Sequence, residues 1–337
     1  MAEGILSKLV PWTLADRANL LQIDGNIAYT IKMLTESNPF MQVLPSRQAT
    51  DIMMNQVFQL VKGPTTYVKY FNQGTLSSKP SFTSKTESIM IREARSNMEA
   101  LQEKLSPNPE LERNHIDQTF IESMSRDMAY DMIYQSVKVD PAHFDGLAAR
   151  LNVIFNHGTN NNWNVQTCEG TGDYLTSVYI VAPRSNEYSK EVAFIYPKGA
   201  EGLGITREKL EKHTITDDEG RQAEYITTVF NAFYGLSVAD PRCIGRVCNI
   251  NATPEATSNI INTARLDYIL KRMPTTSTKY LITSKAVADQ LDMLAKDPDR
   301  GFRFTSYSDA FGKTVYDYKG HPLLISDAVL EREEQVV

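Results

Sequence analysis

The stretch nearest to a reactive site runs from Gly199 through Gly204 to Thr206, GAEGLGIT. It follows an apolar run, VAFIY, and precedes TREKLEKH, which reads as a short helix. A glycine-rich turn between strand and helix can cradle phosphate on backbone N–H groups. The spacing fits G-x-x-x-x-G-x-T, but Ile205 stands where such loops carry lysine, and Glu201 puts an anion into the cradle. The loop therefore has little to hold a triphosphate. Cys168, Cys243 and Cys248 lack the C-x2-C spacing of structural zinc sites. The five histidines form no H-E-x-x-H pair, and no serine sits in a G-x-S-x-G elbow. His143 and Asp145 share a loop and read as a turn pair, not an acid–base pair. No catalytic residue, cofactor or metal site is expected, and the chain reads as a non-enzyme.

The totals point the same way. The chain has 337 residues, 42% of them hydrophobic and 23% charged, with a net charge of −6. That is enough for a large core in two or more substructures. An acidic balance argues against a protein whose main task is gripping phosphate backbones. No apolar run is long enough to span a membrane and no export signal opens the chain, so no membrane partner is expected. Three cysteines cannot form a disulfide framework and suit a reducing cytoplasm.

With no chemistry to position, the elements themselves carry the reading. Asn108 to Ser136 reads as one helix about 42 Å long, with Asn108 as N-cap and Pro109 at the first helical position. Ile116, Phe120, Ile121, Met124, Met128 and Met132 fall on one arc, with Gln118, Glu122, Ser125 and Arg126 opposite. Asp117, Asp127 and Asp131 lie in or beside the apolar arc. Part of that face is therefore expected to meet solvent or another subunit.

Before the helix comes a stretch that does not suit a lone globule. Residues 1–44 look like an arm broken by Pro11, Gly25 and Pro39, with one short helix from Asn26 to Glu36. From Asp51 to Arg92 the chain favours extended structure: TTYVKYF at 65–71, a turn at Asn72-Gln73-Gly74, then polar TLSSKPSFTSKTES. If both arms are strands, each reaches roughly 60 Å. A compact globule of this length is only about 50 Å across, so the hairpin must rest on neighbouring copies. The competing reading makes Met53, Val57, Leu60 and Val61 a helical stripe, which would shorten it. A capping box at Ser96–Glu99 predicts a short helix to Leu105. Further on, the pattern predicts short strands between Thr176 and Ile250. It then predicts helix, strand and helix at Thr257–Arg272, Lys279–Thr283 and Ser284–Lys296, a last hairpin around Gly320, and a frayed acidic tail after Asp327.

This order resembles the major capsid proteins of tailed bacteriophages, which share the Johnson (Hong Kong 97) fold. The wording matches as well: LADRANLLQIDGNIAYTIKMLTESN at 14–38, YFNQG at 70–74, FIESMSRDMAYDMIY at 120–134, FDGLAARLN at 144–152, FIYPKG at 194–199 and GLSVADPRCIGRVCNI at 235–250. The resemblance implies an α+β capsid fold in four parts. These are an N-terminal arm (1–44), an extended hairpin loop (45–95), a peripheral domain with a spine helix at 108–136 (96–250), and an axial domain (251–337). It implies hexamers and pentamers of an icosahedral head around double-stranded DNA, assembled in the host bacterial cytoplasm. Phe58, Tyr67, Tyr70 and Phe71 would pack on a neighbour's helix, and Lys69, Lys79 and Lys85 would meet acids such as Asp117, Glu122 and Asp127. The chain shows no long helical extension of the kind that serves as a built-in scaffold. A separate scaffolding protein is therefore expected, with a portal protein, optional decoration proteins and non-specifically held DNA as further partners. An encapsulin-like nanocompartment is the alternative with the same fold; a phosphate-using enzyme built on the Gly199 loop is the alternative from another class.

Overall fold

The computed structural model describes residues 40, 43–156, 160, 162–183, 192–200, 205–216, 222–254, 256–275, 277–295, 304–308 and 314–337. The expected arm helix at Asn26–Glu36, Glu201 and Gly204 of the glycine loop, and the turn at Asp217–Gly220 lie outside them. The chain forms two units. One is built from Ile91–Asp127 and Gly204–Phe233; the other from Asn38–Met90, Met128–Leu203 and Tyr234–Val337.

The second unit holds the larger sheet. Its strands are β5 (Val165–Thr167), β6 (Leu175–Val181), β11 (Ile244–Asn251), β12 (Tyr280–Thr283), β13 (Phe304–Ser308), β14 (Thr314–Tyr318) and β15 (His321–Ile325), in the order β13-β14-β15-β12-β6-β11-β5. β6, LTSVYIV, is buried at every position. A central strand covered on both faces needs this near-continuous apolar run. Two helices complete the unit's α content in this region: α4 (Thr263–Arg272) and α5 (Lys285–Ala295). The N-cap of α4 is Asn262, whose side chain accepts from the Ala264 and Arg265 N–H groups. The helix therefore starts later than the expected Thr257.

The first unit is organised on β4 (Met90–Glu99), α1 (Ala100–Leu105), β8 (Ile205–Lys209), β9 (His213–Thr216) and the greater part of β10 (Gln222–Val238). β8 and β9 both pair antiparallel with β10. The expected helix TREKLEKH is instead most of β8, a three-residue connection and the first residue of β9. Helix propensity in that stretch yields to the hydrogen bonds offered by a 17-residue neighbour. The expected capping box is likewise absent, because Ser96 to Glu99 finishes β4 and Glu99 makes no side-chain cap. In the second unit, β10 continues antiparallel along β7 (Val192–Tyr196), which pairs in parallel with β1 (Ser46–Gln48).

The long helix, α2, spans Pro109–Tyr134. Met124, Met128 and Met132 are buried as expected, but Ile121 is 38% exposed. The three aspartates beside the apolar arc find partners within their own chain. Asp131, fully buried, accepts hydrogen bonds from the Tyr234 hydroxyl at 2.5 Å and from Gln135 at 2.8 Å. Asp117, 2% exposed, is ion-paired with Arg207, and Asp127 bonds Arg92 at 3.0 Å. The expectation that these acids force the face into solvent or onto another subunit fails for Asp117 and Asp131. Burial is tolerated because Asp131 has hydrogen-bond donors and the Asp117 carboxylate lies beside the Arg207 and Arg113 cations.

After α2 the chain turns at Gly146 into a short helix, α3 (Leu147–Arg150). A Cβ on Gly146 would lie 2.6 Å from the Ile133 carbonyl oxygen, so no side chain fits. The tail is not frayed. Glu333 N–H donates to the Leu175 carbonyl at 2.7 Å, and Asn249 exchanges two hydrogen bonds with the Val336 backbone at 2.8 and 2.9 Å.

Candidate assembly interface

The hairpin is present as a separate two-stranded ribbon, but its ladder is shorter than expected: it ends at Lys62 and Ser81, and Thr65–Phe71 forms no strand. β2 (Met54–Lys62) and β3 (Ser81–Ser88) run antiparallel from Met54↔Ser88 to Lys62↔Ser81 as a separate two-stranded sheet. The helical alternative for Met53–Val61 is therefore excluded. Beyond the ladder, residues 63–80 form the tip. The Gln73 N–H donates to the Tyr70 carbonyl, and Asn72 takes a left-handed conformation (φ 62°), which its short polar side chain tolerates.

The ribbon's root is fixed by a buried ion pair. Arg150, on α3, holds Glu87 through two guanidinium nitrogens, one at 2.9 Å. It also donates to the carbonyls of Asp145 at 2.8 Å and Leu236 at 3.2 Å. Asn55 reaches Ser237 at 3.3 Å, and Val57 is buried. One face of the root thus lies on the body. Gly235 lets β10 approach: a Cβ there would meet the Ser88 carbonyl oxygen at 2.5 Å. No local pattern marks Arg150 and Glu87 as partners, because they lie 63 positions apart.

Away from the root the ribbon is bare. Phe58 is 67% exposed, Tyr70 67% and Phe71 101%; Tyr67, Val61, Val68, Leu76 and Phe82 are exposed as well. A soluble monomer rarely leaves so many large apolar side chains together in water, and such patches mark interaction sites. The charges are as one-sided. Between Asp51 and Glu87 there is no acid but four lysines, so a chain of net charge −6 carries about +4 on its ribbon and −10 elsewhere. Among the described residues Lys62, Lys69 and Lys79 have no ion partner. Lys85 lies 3.5 Å from Glu87.

The expected acceptors separate. Asp117 is enclosed by Arg113 and Arg207, and burial raises its carboxyl pKa despite both cations. Arg113 is itself held by Thr228 at 2.9 Å and the Ile226 carbonyl at 2.8 Å, its pKa lowered by burial. Asp117 is therefore withdrawn as a partner for a neighbour's lysine. Glu122 and Asp127 keep partly exposed positions on α2.

Among the described residues, the chemical candidates lie as follows. The strand β8 occupies the place where a phosphate loop needs a helix N-terminus. All three cysteines are buried, and burial pushes the Cys168 and Cys248 thiols up to about 11. The expected turn pair of His143 with Asp145 does not form: Asp145 accepts from the Val137 N–H at 3.0 Å, and His143 lies 3.9 Å from Asp140. A second buried cluster holds the tail. The Glu333 carboxylate accepts from Arg246 at 2.9 Å, from Tyr179 at 3.0 Å, from Tyr134 at 2.5 Å and from Ser177.

A folded body that projects an unsatisfied, self-paired ribbon is the subunit of a multi-copy shell. Its fold agrees with phage structures. The chain matches one from the cryo-EM structure of bacteriophage Epsilon15 with TM-score 0.69 and 18% identity over 99% of both chains. It matches one from the capsid of bacteriophage JBD30 decorated with minor capsid protein trimers with TM-score 0.50 and 7% identity over 88% and 92%. A looser likeness, TM-score 0.45 at 10% identity, covers 74% of this chain and 99% of an encapsulin from Synechococcus elongatus. No curated protein sequence matches. The family model of the major capsid protein GP7 matches residues 22–337, and the chain belongs to that family of phage major capsid proteins. Its function is structural, the building of the capsid shell, and not enzymatic.

Proposed function

We propose that the ribbon is the element by which copies join into hexamers and pentamers of an icosahedral head enclosing double-stranded DNA. In this reading residues 45–95 are the extended loop, α2 is the spine helix of a peripheral domain at 96–250, and 251–337 form the axial domain. Residues 1–44 are an arm. The carrying observation is the bare aromatic tip together with Lys69 and Lys79, which have no ion partner among the described residues. Phe58, Tyr67, Tyr70 and Phe71 pack on the helix of a neighbour, while Lys69, Lys79 and Lys85 meet acids such as Glu122 and Asp127. Heterologous contacts of this kind close into rings, and closure makes many weak contacts cooperative. A separate scaffolding protein, a portal protein and decoration proteins are the proposed further partners, with assembly in the host bacterial cytoplasm. The acidic remainder of the chain leaves packaged DNA free to depart.

Deleting Thr65–Lys85 tests the reading. The expected product is a folded subunit that forms no shells. Regular particles from that deletion, seen by electron microscopy, would refute the ribbon's role.

A further inference from the structure

The ribbon's ladder stops at Lys62↔Ser81, yet the sequence beyond it, Thr65 to Phe71, is the most strand-prone in the tip. In these residues the only backbone groups with a hydrogen bond are two carbonyls: Tyr70, which accepts from Gln73 N–H, and Thr65, which accepts from the Ser78 hydroxyl at 2.7 Å. A β-prone segment with its N–H groups unpaired is a strand without a sheet. We infer that residues 65–71 complete themselves by strand addition to an open sheet edge of a second copy, and that the receiving edge is β4. The inference rests on the proposed role of the ribbon and specifies how its tip is held.

The choice of β4 follows from length and charge. Seven residues need an edge about 23 Å long. Among the described strands, the open edges at β1 and β5 are three residues long, that at β9 four, and those at β8 and β13 five. The ribbon's own outer edges carry Lys62 and Lys85, which repel Lys69. β4 pairs only with β10 and offers ten residues, with Ile91 52% exposed at one end and Glu99, which has no ion partner among the described residues, at the other. Lys69 then finds an anion on the edge it joins. The lysines acquire a second task, since charges along an exposed strand discourage tip-to-tip pairing of free subunits.

Hydrogen exchange followed by mass spectrometry on the full-length chain, free and in shells, tests this. In shells the amides of residues 65–71 that face β4, every second one, slow by a factor of about 100 or more. The outward amides of Ile91–Glu99 slow with them. Shells in which 65–71 exchanges as fast as in the free subunit overturn strand addition but leave docking by side chains standing. Protection confined to 65–71 and 75–80, with β4 unchanged, also overturns it, because the arms have then zipped to each other. Shells formed by a chain lacking Thr65–Lys79 overturn both this inference and the reading beneath it.

Discussion

Replacing Glu333 with alanine removes the anion on which the tail's anchorage converges. Arg246 and Glu333 have side chains only 5% and 4% exposed, so neither charge can turn to water. Burial alone would lower the Arg246 pKa; Tyr179 and Glu333 outweigh it and raise it. Burial, with Glu333 adding to it, holds the Tyr134 and Tyr179 hydroxyls far above their ordinary range, so both stay protonated donors. Without the carboxylate, the Arg246 guanidinium keeps, among the described residues, Ser177 at 3.0 Å, the Leu151 carbonyl at 3.1 Å and the face of the Tyr179 ring, none of them an anion. Breaking a buried pair from one side costs about 3–5 kcal/mol, against a total domain stability of about 5–15 kcal/mol. In urea that lowers the midpoint by about 1 M or more. Glu333→Leu combined with Arg246→Met should recover much of the loss, because two apolar side chains of similar size leave no orphaned charge. The assay is equilibrium unfolding of the unassembled parent subunit, the alanine variant and the double variant. An alanine variant within about 1 kcal/mol of the parent, or a double variant as weak as the single, refutes the reasoning.

Three further outcomes are expected. Gly146→Ala forces a methyl against the Ile133 carbonyl and destabilises the subunit by about 2–3 kcal/mol, read from the same unfolding curves. The thiols of Cys168 and Cys248 do not react with a thiol reagent at pH 8 in the folded subunit; because their pKa is raised from 9.0 to about 11, stability is full below pH 9 and falls between pH 9 and 11 as the unfolded thiols ionise first. Shell assembly slows as salt rises from about 50 to 500 mM, and Lys69→Glu with Lys79→Glu slows it further at low salt, measured by light scattering; salt-independent rates would remove charge steering.

The long helix and the ribbon were legible because their signals are local. Asn108-Pro109 marks a helix start, the methionines recur at helical spacing, and Asn72-Gln73-Gly74 sits between extended arms. The failures share a cause: a partner distant in sequence. TREKLEKH has a helix-like composition but lies against β10, and Gly235, which reads as a break, is the point where that strand passes the Ser88 carbonyl. The tail looked solvated because its acids are dense; Glu333 is instead taken up by groups 87 to 199 residues away. In the proposed interface the aromatic side chains of the ribbon are exposed, and their exposure depends on no neighbour within the chain. The pairing of Arg150 with Glu87, which anchors the root, was not legible.

The buried cysteines have a consequence for the finished particle. As part of a virion, the shell meets air-saturated water. With every sulfhydryl enclosed in folded protein, dioxygen finds nothing on the shell wall to couple, and two heads that collide cannot become stitched together. The container ages without gaining a disulfide.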